Sequence, residues 1–274
     1  VKTIIQNIEN TNILLLDDLE THINITAGIS NGNDIWKVLR EADIALSYAK
    51  TQHHHIVDFT KVDQLNKYLS TKMFWLKEIN KAVLNDNIVP WLQPIANNRT
   101  GKIVKFEALM RLIDTENAVI PPGHFIDISK PTKLYEKISM MMIKKTLKHF
   151  STNHDDFNIN MSWEDVKSKP TTQLLIQLLD KYENLGKRMT VEIVESESIE
   201  NFESFNNFLS KLRQYGVKIA LDDFGSGYSN FVYLDKIKAN YVKIDGTLIK
   251  DMMINDNTLQ IVKSIITIAH KFQI

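Results

Sequence analysis

Five successive strand-like segments from residue 103 onwards each end in a polar side chain: Glu107, Asn160, Glu192, Asp222 and Lys243. Three carboxylates and one amide are hard oxygen donors, suited to Mg²⁺ or Mn²⁺. Brought together, the carboxylates repel one another and need a cation or a proton to offset them. Lys243 adds a fixed positive charge or orients a water. Two divalent ions held by such a set polarise a phosphoryl group and lower the pKa of a water, so phosphodiester hydrolysis is the chemistry these residue types suggest. Any one of the acids alone reads most simply as a solvated strand end or a helix cap. Five in consecutive strands do not.

Side-chain parity carries the argument further. Residues two apart in a strand share a face, which groups Glu107 with Leu109 and Arg111, Asn158 with Asn160, and Asp222 with Ala220. Lys243 shares its face with Tyr241 and Asp245. Adjacent Asp222 and Asp223 point to opposite sides unless the strand ends between them, in which case Asp223 can swing towards a second ion.

Such residues need elements to carry them. From residue 88 the pattern alternates between strands, at 88–95, 103–111, 156–161, 189–195, 217–223 and 240–245, and helices, at 133–149, 171–184 and 199–214. That alternation predicts a parallel sheet with helical crossovers and active groups at the strands' carboxyl ends. It suits a doubly wound sheet or an unfinished (β/α)₈ barrel. Ahead of it, 22–29 reads as a strand and Asp34 as the cap of a helix marked by Ile35, Val38, Leu39, Ala42, Leu46 and Ala49. A second helical stretch over 61–85 reads as a packed connector, with Met73 and Trp75 in a core or interface.

The bulk composition sets outer limits. Of 274 residues, Lys+Arg 33 balance Asp+Glu 33, which argues against a protein that grips DNA or RNA through its phosphates. The absence of cysteine excludes disulfides, thiolate zinc sites and cysteine nucleophiles. No apolar run approaches the ~18 residues of a membrane span, and a cytoplasmic protein is expected. The chain opens on Val1 and its last helical pattern runs on towards Ile274, so a fragment is expected, with any sensor domain or membrane tether outside it.

Several motifs carry a family resemblance. Leu92-Gln93-Pro94-Ile95, Glu107-Ala108-Leu109-Met110-Arg111-Leu112, Asn158-Ile159-Asn160-Met161-Ser162, Val191-Glu192-Ile193-Val194-Glu195-Ser196, Leu221-Asp222-Asp223-Phe224-Gly225-Ser226-Gly227-Tyr228-Ser229 and Val242-Lys243-Ile244-Asp245 stand in the order of an EAL domain. From about residue 85 onwards the chain resembles that cyclic di-GMP phosphodiesterase family. The resemblance implies an α/β fold, a (β/α)₈ TIM-like barrel of which about six strands lie in this chain. It implies hydrolysis of cyclic di-GMP to linear pGpG with Mg²⁺ or Mn²⁺. By position, Glu107, Asn160, Glu192, Asp222 and Asp223 bind metal, and Lys243 assists the attacking water together with Glu107 and Asp222. Gln93, Leu109, Arg111 and Asp245 contact the substrate. Glu195 braces a loop used in homodimerisation through the barrel domain. The family's strand-seven Glu and strand-eight Gln fall beyond Ile274, where strand seven is due to begin; a protein that lacked them would be an inactive cyclic di-GMP receptor.

At the front, Ile25-Thr26-Ala27-Gly28-Ile29 and Glu41 to Lys50 resemble the end of a GGDEF domain, an α+β fold, without its nucleotide-binding signature. The expected organisation is a GGDEF-like remnant over 1–60, a connecting helix over 61–85 and an EAL-type domain over 86–274. His53-His54-His55, His124 and His149 match no motif and read as loop or helix residues. Trp91 and Trp163 read as packing residues, with Trp163 near enough to the rim to meet a guanine.

Overall fold

A computed structural model describes residues 13–15, 19–21, 25–51, 54–61, 64–194, 202–225 and 232–274. The chain divides into two compact units, Val1–Trp75 and Leu76–Ile274.

In the first unit, β1 (Ile13–Leu15) pairs antiparallel with β2 (Leu19–Thr21). β3 (Ala27–Ile29) pairs parallel with β4 (Ile56–Asp58), the two joined through the helix Ile35–Thr51. Parallel strands need such a crossover. The helix lies directly on β3, because a Cβ at Gly28 would stand 2.1 Å from the Ala42 carbonyl oxygen. Its buried face is Ala45, Tyr48 and Ala49 against Val57. Ile35 and Leu39, expected on the apolar face, are exposed together with Trp36. His54 stacks on Tyr48, while His53 lies outside the described residues.

The helix Gln64–Leu84 follows. Its buried positions in the second unit are Glu78, Ile79 and Ala82, with Lys81 pairing to Glu78 at 2.6 Å. Met73, expected in a core or interface, is 68% exposed, and Trp75 is half-buried.

The second unit is built on one sheet: β5 (Ile88–Ala96), β6 (Ile103–Ile113), the short β7 (Val119–Ile120), β8 (Phe157–Asn160), β9 (Met189–Val194), β10 (Lys218–Phe224) and β11 (Tyr241–Ile244). The order is β11-β10-β9-β8-β6-β5, with β7 on β6. From β6 to β11 every neighbour on this path is parallel, and the helices Lys133–Phe150, Lys169–Lys181, Phe202–Gln214 and Val232–Ile237 supply the crossovers. The all-parallel expectation fails at β6, where β5 and the short β7 both run antiparallel to it. Only residues 97–102 join β5 to β6, too few for the dozen or more that a parallel crossover takes. Asn97 shapes that turn by accepting from the N–H groups of Arg99 and Thr100, and Gly101 takes a φ of +66°.

The core lies between this sheet and its helices. Helix Lys133–Phe150 starts at Thr132, whose hydroxyl accepts from Leu134 N–H, and buries Ile138, Met142, Ile143, Leu147 and Phe150 at helical spacing. Phe150 stacks on Phe157 at 4.1 Å between ring centroids, which fixes the amino end of β8. In the same core Phe205, Leu209 and Leu212 pack beneath β9 and β10. The sheet's outward side chains are therefore held rigidly, and its polar face is positioned from behind.

Candidate functional site

The site begins with stagger between parallel strands. Glu107 stands level with Asn158, Asn160 level with Glu192, Glu192 level with Ala220, and Ala220 level with Tyr241. Moving across the sheet, the polar face advances two residues at a time, to Asn160, Asp222 and Lys243. Alternation keeps all of them on one face. Behind that face Ala108, Ile159, Ile193 and Leu221 are buried in the core.

Lys243 is at the centre. Its Nζ lies 2.6 Å from Glu192 Oε2, 3.0 Å from Asp222 Oδ2 and 3.2 Å from Glu107 Oε2. Those three acids each offer an oxygen within 4.8 Å of the other two. Asn160 Nδ2 donates to Glu107 Oε1 at 3.0 Å, and Asn158 Nδ2 donates to Glu192 Oε1. Asn158 is a member that sequence reasoning left without a role. Its pairing with Asn160 at i and i+2 was the available signal.

Burial grades the electrostatics. The Glu192 side chain is fully buried, whereas those of Glu107 and Asp222 keep 14% and 16% exposure. Burial, and then the neighbouring Glu107 charge, push the Glu192 carboxyl up to about 7 despite the opposing ammonium of Lys243. Burial acts against the Lys243 ammonium too, but Glu192, Glu107 and Asp222 more than offset it and hold its pKa above the ordinary lysine value. Once Glu192 has given up its proton, three carboxylates against one ammonium leave two negative charges uncompensated. That surplus, in a cluster of hard oxygen donors, fits a divalent cation. Glu107, Glu192 and Asp222 are the residues placed to hold one, with the Asn160 amide bonded to Glu107 beside them.

Asp223 stands apart from the three. The register between β10 and β11 shifts between Leu221 and Phe224, so Asp222 and Asp223 together face Lys243 across a bulge. Asp223 adopts a φ of 54° and its N–H donates to Asp222 Oδ1 at 3.0 Å. An aspartate enters this left-handed region at modest backbone cost, and the turn it makes here ends β10 beside the acid cluster. Burial, with Asp222 and Asp245 nearby, raises the Asp223 carboxyl above its usual value. Two residues on, Gly225 has a φ of +99°, and a Cβ there would come 2.4 Å from Leu248 Cδ1.

Gln93 is exposed and pairs across β5–β6 with Glu107, and Arg111 pairs with Val89. The Arg111 guanidinium donates to the Met110 carbonyl and lies 5.9 Å from the centroid of the half-exposed Trp91 ring. Asp245 caps the helix Gly246–Asp251, accepting from the N–H and hydroxyl of Thr247. These bonds hold its carboxyl below the usual range. Glu195 lies outside the described residues. Trp163 is buried against Phe205 and does not reach the rim. His124 ends a short 3₁₀ turn, and His149 lies in the last turn of helix Lys133–Phe150.

A cavity of about 220 Å³ opens beside Asn160, lined by Leu109, Tyr135, Ser139, Ser162 and Asp165 among others. Ser162 and Asp165 form a reciprocal capping box, and Tyr135 Oη donates to Asp165 Oδ2 at 2.9 Å. This buried network fixes the turn that leaves β8 immediately after Asn160. Burial raises the Asp165 carboxyl, and hydrogen bonds from Ser139, Ser162 and Tyr135 oppose that shift. Asp165→Ala is expected to lower unfolding free energy by about 2 kcal/mol, through the lost half of the capping box and the buried Ser162 N–H left without its acceptor. A denaturant midpoint equal to that of the parent would contradict this role.

The EAL domain family model matches residues 76–274, well over half of the chain. The chain belongs to the EAL domain family. Within that family, the cyclic di-GMP phosphodiesterase PdeA of Borreliella burgdorferi is 31% identical over 196 residues, 70% of this chain and 29% of that protein. The signaling protein YkoW of Bacillus subtilis is 29% identical over 263 residues, 93% of this chain and 33% of that protein. The chain thus spans about a third of the length of these curated relatives. Among solved structures, the PaMucR phosphodiesterase in complex with cyclic di-GMP superposes with a TM-score of 0.67 at 23% identity, over 73% of this chain and 84% of that one. That likeness establishes the EAL fold, a TIM-like α/β architecture. Among the described residues, no helix of this EAL protein is long and apolar enough to cross a membrane.

Proposed function

We propose that the chain carries the catalytic domain of a metal-dependent cyclic di-GMP phosphodiesterase, producing linear pGpG with Mg²⁺ or Mn²⁺. The observation that carries the reading is the convergence of Glu107, Glu192 and Asp222 on one point of the sheet's polar rim. Glu107, Asn160, Glu192, Asp222 and Asp223 hold the metal. A divalent ion bound there supplies Lewis-acid polarisation of the phosphodiester and lowers the pKa of the attacking water.

The chain's own residues do the rest. Arg111 offers a planar fork of N–H donors to a phosphate, and Gln93, Leu109 and Asp245 frame the nucleotide. Lys243, held protonated by its neighbours, donates from Nζ to the oxygen of the water and orients it. The water oxygen bonds to phosphorus as the bond from phosphorus to the sugar 3′ oxygen breaks, and the proton that the water gives up ends on that 3′ oxygen. Opening one of the two diester links leaves a linear dinucleotide with a 5′ phosphate.

The remaining proposals concern the whole protein. Residues 1–60 form a GGDEF-like remnant, supported by the motif-bearing segments lying on β3 and the helix that follows it. A connecting helix over 61–85 leads to the EAL-type domain over 86–274. The protein works as a homodimer in the cytoplasm, with Glu195 at the dimer loop and a sensor or tether elsewhere in the protein.

The deciding experiment incubates the full-length protein with cyclic di-GMP and Mn²⁺ or Mg²⁺ and separates the products by chromatography. Metal-dependent appearance of pGpG is expected. Tight binding of cyclic di-GMP without turnover would identify a receptor instead, and neither binding nor turnover would remove both readings.

A further inference from the structure

Lys243 stands where a cation would stand. Its Nζ hydrogen-bonds Glu192, Asp222 and Glu107 at 2.6, 3.0 and 3.2 Å, the same three carboxylates that crowd within 4.8 Å of one another. An ammonium has three N–H donors, and each of these acids takes one. A magnesium ion bonds oxygen at about 2.0–2.1 Å, so an ion on Glu192 Oε2 would lie within about 5 Å of Nζ as it now stands. Two positive centres that close repel, and they draw on the same oxygen lone pairs.

We propose that Lys243 is a built-in counter-ion that a divalent ion must push aside, so that the lysine weakens the domain's hold on metal and moves when metal binds. The proposal rests on reading the cluster as a divalent-ion site and extends it. In the metal-free protein the ammonium offsets part of the charge surplus and satisfies a carboxylate that has no solvent exposure. Loading the site breaks at least one of its three bonds and frees the amine to meet the water. Metal binding and readiness of the lysine are then one event.

Two measurements on the full chain test it, neither of them activity. Lys243→Met keeps the length of the side chain and removes the charge. Mn²⁺ titration, followed by the paramagnetic resonance of the free ion, is expected to give at least about tenfold tighter binding in Lys243→Met than in the parent. Equal or weaker binding in the variant would overturn the proposal. If the variant does not fold, the parent protein still decides: brief amine acylation with peptide mass mapping is expected to label Lys243 more when Mn²⁺ is present. Labelling that stays the same or falls would overturn it. Absence of Mn²⁺ binding in the parent would remove the ion site itself, and with it this proposal. Mn²⁺ bound equally by both chains would remove only the lysine's role.

Discussion

Glu107→Ala and Asp222→Asn are each expected to lower kcat for cyclic di-GMP hydrolysis by about 10³-fold, the scale of losing one preorganised charge at a reacting phosphate. Each change takes away one of the three carboxylates that meet around Lys243. The loss should fall on chemistry and not on folding. Both side chains keep some exposure at the rim, and Lys243 retains two carboxylate partners in each variant. Melting curves close to the parent's, together with product formation reduced to near background, are the expected pair of observations. Turnover within tenfold of the parent in either variant would sink the assignment of the cluster as the reaction centre. The two variants should also bind Mn²⁺ more weakly, which separates a lost ligand from a general defect.

The second large effect concerns pH. Glu192 releases its proton near 4.5 when unfolded but near 7 in the folded chain. Between those values the folded state holds the extra proton, so stability falls as pH rises through this window and is level above it. The full shift is worth about 3 kcal/mol. Asp223, also raised, acts in the same direction. Lys243 stays charged throughout the window, so the trend belongs to the acids. Chelator-treated protein should therefore melt at progressively lower temperature as pH is raised from 4.5 towards 7, and Glu192→Gln should flatten that slope. Divalent ions reverse the trend, because ion and proton compete for the same oxygens. Mn²⁺ affinity should rise up to about tenfold per pH unit and level off near 7. An affinity independent of pH across this window would show that Glu192 is not a ligand.

The strands and helices of the second unit were largely legible in the amino-acid order. Segments such as 103–111, with Glu107 at its middle, and 217–223, with acids at its end, became β6 and β10 with small shifts of their ends. The helical periodicity at 133–149 was equally plain, because Ile138, Met142 and Phe150 have one core to face. The antiparallel β5 was missed although the signal was present in the six-residue connection. The first unit was harder to read. Helical spacing marks an apolar stripe, but it does not say which residues of that stripe meet a partner, and Ile35 and Leu39 remain exposed.

The chemistry of the site divides in the same way. Residue types and their two-residue parity follow from local backbone geometry, so Glu107, Asn160, Glu192, Asp222 and Lys243 are visible from order alone, and so is the suitability of their oxygens for Mg²⁺ or Mn²⁺. Stagger between parallel strands is a long-range property, and it alone determines that Lys243 reaches across to Glu107, 136 residues earlier in the chain. The bulge that sets Asp223 apart from Asp222 depends on how β11 pairs with β10. Asn158 became a partner of Glu192 because β8 and β9 lie side by side. The raised Glu192 carboxyl comes from burial and from a neighbouring charge, and both are measured in three dimensions. Local order sets which way a side chain points; the distances, desolvation and charges around it are created only when distant strands are brought into register.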